Sequence, residues 1–173
     1  LLVVLAVLAQ LFLVLAPVAA QVPPTSQELA NTAGLHKAAA GADLKSIEAL
    51  LTAGADVNSR DGTSRTPFHV AAFQRHIAAM TLLVAKGADP NALEGQAYDA
   101  VTIAAVANDV ETLKTALALG NKASNITSPY DGTALIAAAH LGHDEVVRIL
   151  IEAGAPLNHV NTLGWTALME AVI

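Results

Sequence analysis

The chain of 173 residues contains no cysteine. That absence excludes a disulfide framework, a CxxC redox site and thiolate ligation of zinc, and it leaves the fold indifferent to an oxidising compartment. Aromatic residues are also scarce, at 3% against an apolar fraction of 54%. Ala and Leu make up most of the difference, which suits thin helices packed closely rather than a bulky core. Basic residues are few and scattered: 9 Lys and Arg against 15 Asp and Glu, a formal net charge of −6. A domain with that balance and no basic stripe would meet a phosphate backbone against its own field, which excludes nucleic acid as the expected partner. No P-loop, G-x-S-x-G or H-E-x-x-H pattern occurs, and the carboxylates do not converge. Asp43, Asp109, Asp144 and Glu145 instead fall where helices start and complement the helix dipole. The chain therefore reads as non-enzymatic, without a cofactor or a metal.

Charge is missing altogether before Glu28. The stretch LLVVLAVLAQLFLVLAPVAA, residues 1–20, has Gln10 as its one polar interruption, then Pro17, then Val18 and Ala20 placed for a cut before Gln21. A helix-breaking proline followed by small residues presents the extended backbone that signal peptidase requires. Residues 1–20 are expected to be a signal peptide and 21–30 a linker, with the protein periplasmic or secreted. An uncleaved membrane anchor is the alternative, because about 17–25 apolar residues can span a bilayer. The chain begins with Leu1 and lacks a basic segment ahead of the apolar run, so it reads as truncated at this end.

What the remainder has is regularity. The step Gly-Ala occurs at Gly54, Gly87 and Gly154, and Gly120 fills the missing slot, giving intervals of 33, 33 and 34. TPFHVAA from Thr66, DAVTIAA from Asp99, TALIAAA from Thr133 and TALMEAV from Thr166 keep the same beat, with AGLHKAA from Ala33 a degenerate first copy. A fixed period of this size marks stacked supersecondary units. Thr66 can cap a helix and Pro67 then occupies its first position, where a missing N–H costs nothing. Gly142 and its counterpart Asn108 suit a left-handed turn between two helices. A second helix follows, with Val146, Val147, Leu150 and Ile151 matched by Leu44, Ile47, Leu50 and Leu51, by Ile77, Met80, Leu83 and Val84, and by Val110, Leu113 and Leu117. Each such side chain stabilises by about 1.5–3 kcal/mol when fully buried, which one helix pair alone cannot achieve.

DGTSRTPFHVAA…GADPN and YDGTALIAAAHLGHDEVVRILIEAGA resemble the ankyrin repeat, over residues 31–173. The resemblance implies an all-α solenoid of helix-turn-helix units with projecting β-hairpin loops, about four full repeats and a truncated fifth. Copy three departs most: it lacks Thr-Pro, carries Asn121-Lys122 where Ala-Asp is usual, and has one extra residue before Thr133. The last copy stops at Ile173 after one helix, and the natural protein is expected to continue. GWTALMEAVI and the style of the leader resemble exported bacterial members of the family.

The same resemblance implies a partner protein gripped by the hairpin tips and the concave first-helix face. Carried over by alignment, the contact positions are Arg60, Thr63, Arg65, Phe73 and Gln74; Leu93, Gln96, Tyr98 and Val106; Tyr130, His140 and Leu141; and Thr162, Leu163 and Trp165. Of the five aromatics beyond the leader, Phe73, Tyr98, Tyr130 and Trp165 fall in that set and Phe68 reads as core. The slot before the cap, shared by Arg65, Tyr98, Gly132 and Trp165, equally suits an aromatic that packs on the neighbouring hairpin. Both readings stand for Tyr98 and Trp165, and Phe73 is the stronger candidate. His140 and His143 are separated by the helix-breaking Gly142 and so read as a solvated turn rather than metal ligands. His36 and His69 share a register and resemble the family's structural histidine. Asn125-Ile126-Thr127 matches the N-glycosylation pattern.

The expected function is a non-enzymatic protein-interaction module in the periplasm or outside the cell. The alternative is a membrane-tethered scaffold presenting the same array.

Overall fold

A computed structural model describes residues 22–172. The expected leader, residues 1–20, lies outside the described residues. Ten helices are present among them: α1 (Ser26–Asn31), α2 (Gly34–Ala40), α3 (Leu44–Thr52), α4 (Pro67–Phe73), α5 (Ile77–Ala85), α6 (Ala100–Val106), α7 (Val110–Ala118), α8 (Ala134–His140), α9 (Asp144–Glu152) and α10 (Ala167–Glu170). The helices α2, α4, α6, α8 and α10 are the first helices of five units and stack in a row; α3, α5, α7 and α9 are the second helices and form the adjoining row. Each helix touches its partner in the unit and its equivalents in the next, as in a solenoid.

Local chemistry sets the ends of these short helices. Thr66, Thr133 and Thr166 accept from the backbone N–H three residues on, and Asp99 does the same for α6. Proline at the start of α4 fills the position where no intrahelical donor is needed. Turns between paired helices place Ala42, Arg75, Asn108 and Gly142 at φ of 51°, 59°, 51° and 67°. The left-handed turn expected at Gly142 and Asn108 is thus also adopted by two residues less suited to it.

The core is a strip of small side chains between the rows. Ala39, Ala71, Ala72, Ala105, Ala138 and their neighbours let the first helices approach, while Ile47, Met80, Leu83, Leu113, Val146 and Leu150 fill the space behind them. The buried stripe on the second helices is narrower than the apolar pattern predicts. Leu44 at 36% and Ile151 at 46% exposure lie on its edge instead of inside it. A single stripe suffices because the outer flank of each second helix faces solvent.

The loops double back as hairpin turns but do not form ladders. One bond closes each: Asp61 N–H to Arg65 O (3.0 Å), Glu94 N–H to Tyr98 O (2.9 Å), Thr127 N–H to Gly132 O (2.8 Å) and Asn161 N–H to Trp165 O (3.0 Å). Among the described residues the sole bridge outside a helix is Thr127 with Gly132. The stretch read as a linker is also ordered locally, for Thr25 and Glu28 form a reciprocal capping box that starts α1.

Candidate functional site

Each hairpin tip is organised by one side-chain oxygen. Asp61 Oδ1 accepts from Thr63 and Arg65 N–H, Glu94 Oε1 from Gln96 and Tyr98 N–H, Ser128 Oγ from Tyr130 and Gly132 N–H, and Asn161 Oδ1 from Leu163 and Trp165 N–H. The four acceptors are chemically different, yet each binds the N–H groups two and four residues ahead. Burial works against the Asp61 charge, but the Thr63 hydroxyl and the backbone N–H groups of Arg65 and Thr63 hold its carboxyl below the ordinary range. This periodic anchor is invisible to a residue-type pattern and was missed by sequence reasoning.

Neighbouring tips are joined as well. Gly95 N–H donates to Thr63 O (3.0 Å), Ser128 N–H to Ala97 O (2.9 Å) and Thr162 N–H to Tyr130 O (2.9 Å). Arg60 Nη1 donates to both Ser64 O and Leu93 O at 2.7 Å, so this candidate contact residue also ties tip two to tip three. A Cβ on Gly95 would stand 2.6 Å from Thr63 O, so the close approach requires glycine there. The result is a continuous row of tips fixed to one another, carrying Thr63, Gln96, Tyr130, Thr162 and Leu163 at the surface or partly so.

The candidate positions divide into three groups. Arg65, Phe73 and Gln96 come together: the Arg65 guanidinium lies 5.4 Å from the Phe73 ring centroid, and both Arg65 and Gln96 contact Val22. Tyr130, Thr162, Leu163 and Trp165 form a second group at the far tips, where Leu163 is 52% exposed and the Thr162 hydroxyl donates to Tyr130 O (3.0 Å). Tyr130 and Trp165 are half-buried. On the first helices, Phe73, Gln74 and Val106 are half-buried, as is Leu93 in its loop, while His140 and Leu141 are exposed. His140 Nδ1 lies 2.8 Å from Glu170 Oε2, which connects units four and five.

Two of the expected contact positions are buried. Tyr98 and Arg65 are each only 4% exposed, because the slot before the helix cap turns inward against the neighbouring loop and the N-terminal segment. Burial pushes the Tyr98 phenol above its ordinary pKa, with the Glu94 and Tyr130 charges adding to it. Tyr98 thus follows the packing alternative for that slot. Trp165 remains half-exposed and keeps its place in the candidate surface.

The histidines serve as ties between units. His69 accepts from Thr66 N–H at Nδ1 (3.1 Å) and donates from Nε2 to Ala92 O (2.9 Å), an arrangement that fixes the neutral tautomer. Burial lowers its pKa to about 4, against opposition from the Ala92 hydrogen bond. His36 Nε2 reaches Arg65 O (2.9 Å), His76 Nε2 reaches Ala40 O (3.0 Å) and His143 Nδ1 reaches Ala105 O (2.9 Å). His140 and His143 therefore have separate partners. Among the described residues no group of three or more His, Cys, Asp or Glu side chains is placed to hold a metal.

Copy three, which lacks that histidine, uses amides. The buried Asp99 accepts from Thr102 N–H (2.8 Å), Asn121 Nδ2 (2.8 Å) and Asn125 Nδ2 (2.8 Å), and Asn121 Oδ1 accepts from Val101 N–H (2.8 Å). Asn125 Nδ2 also donates to Asn91 Oδ1 (3.0 Å). The nitrogen that glycosylation would modify is thus engaged in two hydrogen bonds in a half-buried position, and Thr127 of the same pattern is 1% exposed.

Comparison with known families agrees with this architecture. A family model described as ankyrin repeats (3 copies) matches residues 101–173, and one described as ankyrin repeats (many copies) matches residues 35–84. No curated protein matches the chain. Ankyrin repeats are generally non-enzymatic modules for protein–protein interaction. With four helix pairs and the first helix of a fifth unit in succession, and both models falling on them across more than two thirds of its length, the chain belongs to the ankyrin-repeat family.

Proposed function

We propose that the protein binds a partner protein through its row of tips and the adjoining first-helix face, and that it does so in the periplasm or outside the cell. The observation that carries the reading is the backbone bonding from tip to tip, 63 to 95, 97 to 128 and 130 to 162. A surface fixed in this way loses little conformational entropy when a partner docks, so more of the contact energy appears as affinity. The far tips supply the anchors: Tyr130, Leu163 and Trp165 combine apolar area with few rotatable bonds. Export rests on the leader-like composition of residues 1–20.

Affinity capture with the wild type and with the Tyr130→Ala, Leu163→Ala, Trp165→Ala triple variant tests the surface. Loss of a hot-spot anchor costs about 2 kcal/mol, roughly a thirtyfold weakening, so a true partner drops out of the variant's catch. Identical partner sets would reject the surface. The N-terminus of the purified protein tests export, for a start at Gln21 is expected. The same apolar run also favours a second reading, a membrane-tethered scaffold held by residues 1–20. Retention of the full chain in membranes after an alkaline wash would select that reading.

A further inference from the structure

The first residues described, Val22–Thr25, do not run away from the array. They cross the groove between the tips and the first helices. Arg65 Nη2 donates to Val22 O (2.9 Å), and Val22 N–H donates to Gln96 Oε1 (3.4 Å). Both backbone polar groups of one residue are thereby taken up by side chains of two successive units, 43 and 74 positions away. Pro23 lines an adjacent cavity of about 240 Å³ with Phe73, Ile103, Val106 and Ala107. The contacts of Val22 are to its backbone, while its side chain is left half in solvent at 50% exposure. A groove that grips backbone and seats a proline ring recognises a conformation more than a sequence.

Three physical features make this arrangement a ligand in its site. Proline fixes its own φ near −65°, and each proline holds the residue before it extended, so Val22-Pro23-Pro24 is ordered at little entropic cost. Prolines carry no N–H, so laying them against an apolar wall buries no donor. Arg65, with its side chain only 5% exposed, is incompletely satisfied by the segment: Nε has no hydrogen-bond partner, and the nearest carboxylate oxygen, Glu28 Oε2, is 3.8 Å from Nη1. A buried guanidinium with a spare donor favours an occupant that offers one more acceptor.

We infer that the groove around Arg65, Phe73 and Gln96 is a binding site for an extended, proline-containing peptide segment, and that Val22–Thr25 occupies it in cis as a displaceable strap. Displacement by a partner rests on the function proposed above; occupancy of the groove by the chain's own segment does not. The strap covers three of the positions at which the first-helix face and tips would meet that partner, so docking there requires its release.

The absence of cysteine permits a direct test. In the full chain carrying Val106→Cys, the rate of thiol modification reports access to the groove. Adding Pro23→Gly and Pro24→Gly should raise that rate by about tenfold, and a synthetic peptide of residues 22–31 in excess should lower it again while a scrambled peptide does not. Equal rates with and without the prolines, or no protection by the peptide, would overturn the inference. Pro23 and Ala107 line the same cavity, and a Pro23→Cys, Ala107→Cys pair locks the strap in the oxidised protein, whose loss of both free thiols shows that the disulfide has closed. Partner capture that fails in the oxidised protein and returns on reduction supports the mask, and equal capture in both states overturns it. Thiol protection that behaves as expected while neither redox state captures any protein supports the peptide site and counts against the proposed function alone.

Discussion

Copies two and three secure the same joint, the seam between a hairpin and the helix that follows it, by different chemistry. In copy two, one imidazole does the work: fully buried, His69 spans from Thr66 N–H to Ala92 O. In copy three the histidine is replaced by Thr102, and Asp99 with Asn121 and Asn125 forms a buried cluster that also reaches Asn91. A single bridging ring satisfies two backbone groups and leaves little else to pair. The amide cluster satisfies more groups, but each member depends on the others. The departures of copy three from the usual pattern, Asn121 in particular, are therefore parts of an alternative tie and not a weakened one.

The two joints should respond very differently to loss of their capping residue. Thr66→Ala removes one cap oxygen, and about 1 kcal/mol is the expected cost. Asp99→Ala strips the acceptor from Thr102 N–H, from the buried Asn121 amide and from the half-buried Asn125 amide at once, and leaving buried donors unpaired costs about 1–3 kcal/mol each before relaxation. Destabilisation of about 3–5 kcal/mol is expected, measured as a shift in urea midpoint at constant slope. If the two substitutions cost the same, water or rearrangement satisfies the amides and the cluster is not cooperative.

Acid separates the joints next. His69 has its folded pKa lowered to about 4 by burial, against about 6.5 in the unfolded chain. Its neutral form is the folded form, so its contribution is complete above about pH 6.5 and is lost as pH falls toward 4, on the order of 3 kcal/mol across the window. Urea titrations between pH 7.5 and 5 should show this loss in the wild type and a flatter profile in His69→Gln. Asn121 and Asn125 carry no proton that titrates in that range, so exchange of their backbone amides should change less over it than exchange of the Ala92–Tyr98 loop. Parallel profiles for wild type and His69→Gln would show that the ring is not sealed from water.

How far the sequence announces all this depends on whether a role is tied to one residue type. The period was legible because Gly54, Gly87, Gly120 and Gly154 all end a second helix with positive φ, a position that favours glycine. Thr66 and Pro67 were legible for the same reason. The tip anchors were not, since an aspartate, a glutamate, a serine and an asparagine fill one role and share no more than an accepting oxygen. The placement of the proposed contact residues was legible only in part: Leu163 and Tyr130 lie at the tips, but inward packing of Tyr98 and Arg65 depends on what lies across from the slot before the cap. Docking of Val22 on Arg65 and Gln96 had no local signal at all, because it joins segments 43 and 74 residues apart.

The smallest effect expected comes from the turn between the paired helices, where the comparison reverses. Copy three has Asn108 at φ 51°, a residue whose short polar side chain tolerates the left-handed region, whereas copy two has Arg75 at φ 59°. Arg75 pairs with Asp109 at 3.3 Å, but its side chain is 64% exposed, and such a pair is worth little in solvent. Replacing Arg75 by glycine removes the clash of Cβ with the backbone and adds some freedom to the unfolded chain. The balance should be a gain of about 0.5–1 kcal/mol, or a few degrees in Tm. Arg75→Ala keeps the Cβ and should bring no gain, which separates relief of the turn from loss of the charge. Asn108→Gly should change stability less than Arg75→Gly does. If Arg75→Ala stabilises as much as glycine, the turn in copy two is unstrained and the benefit comes from removing the guanidinium, so the two copies would differ in their ties alone.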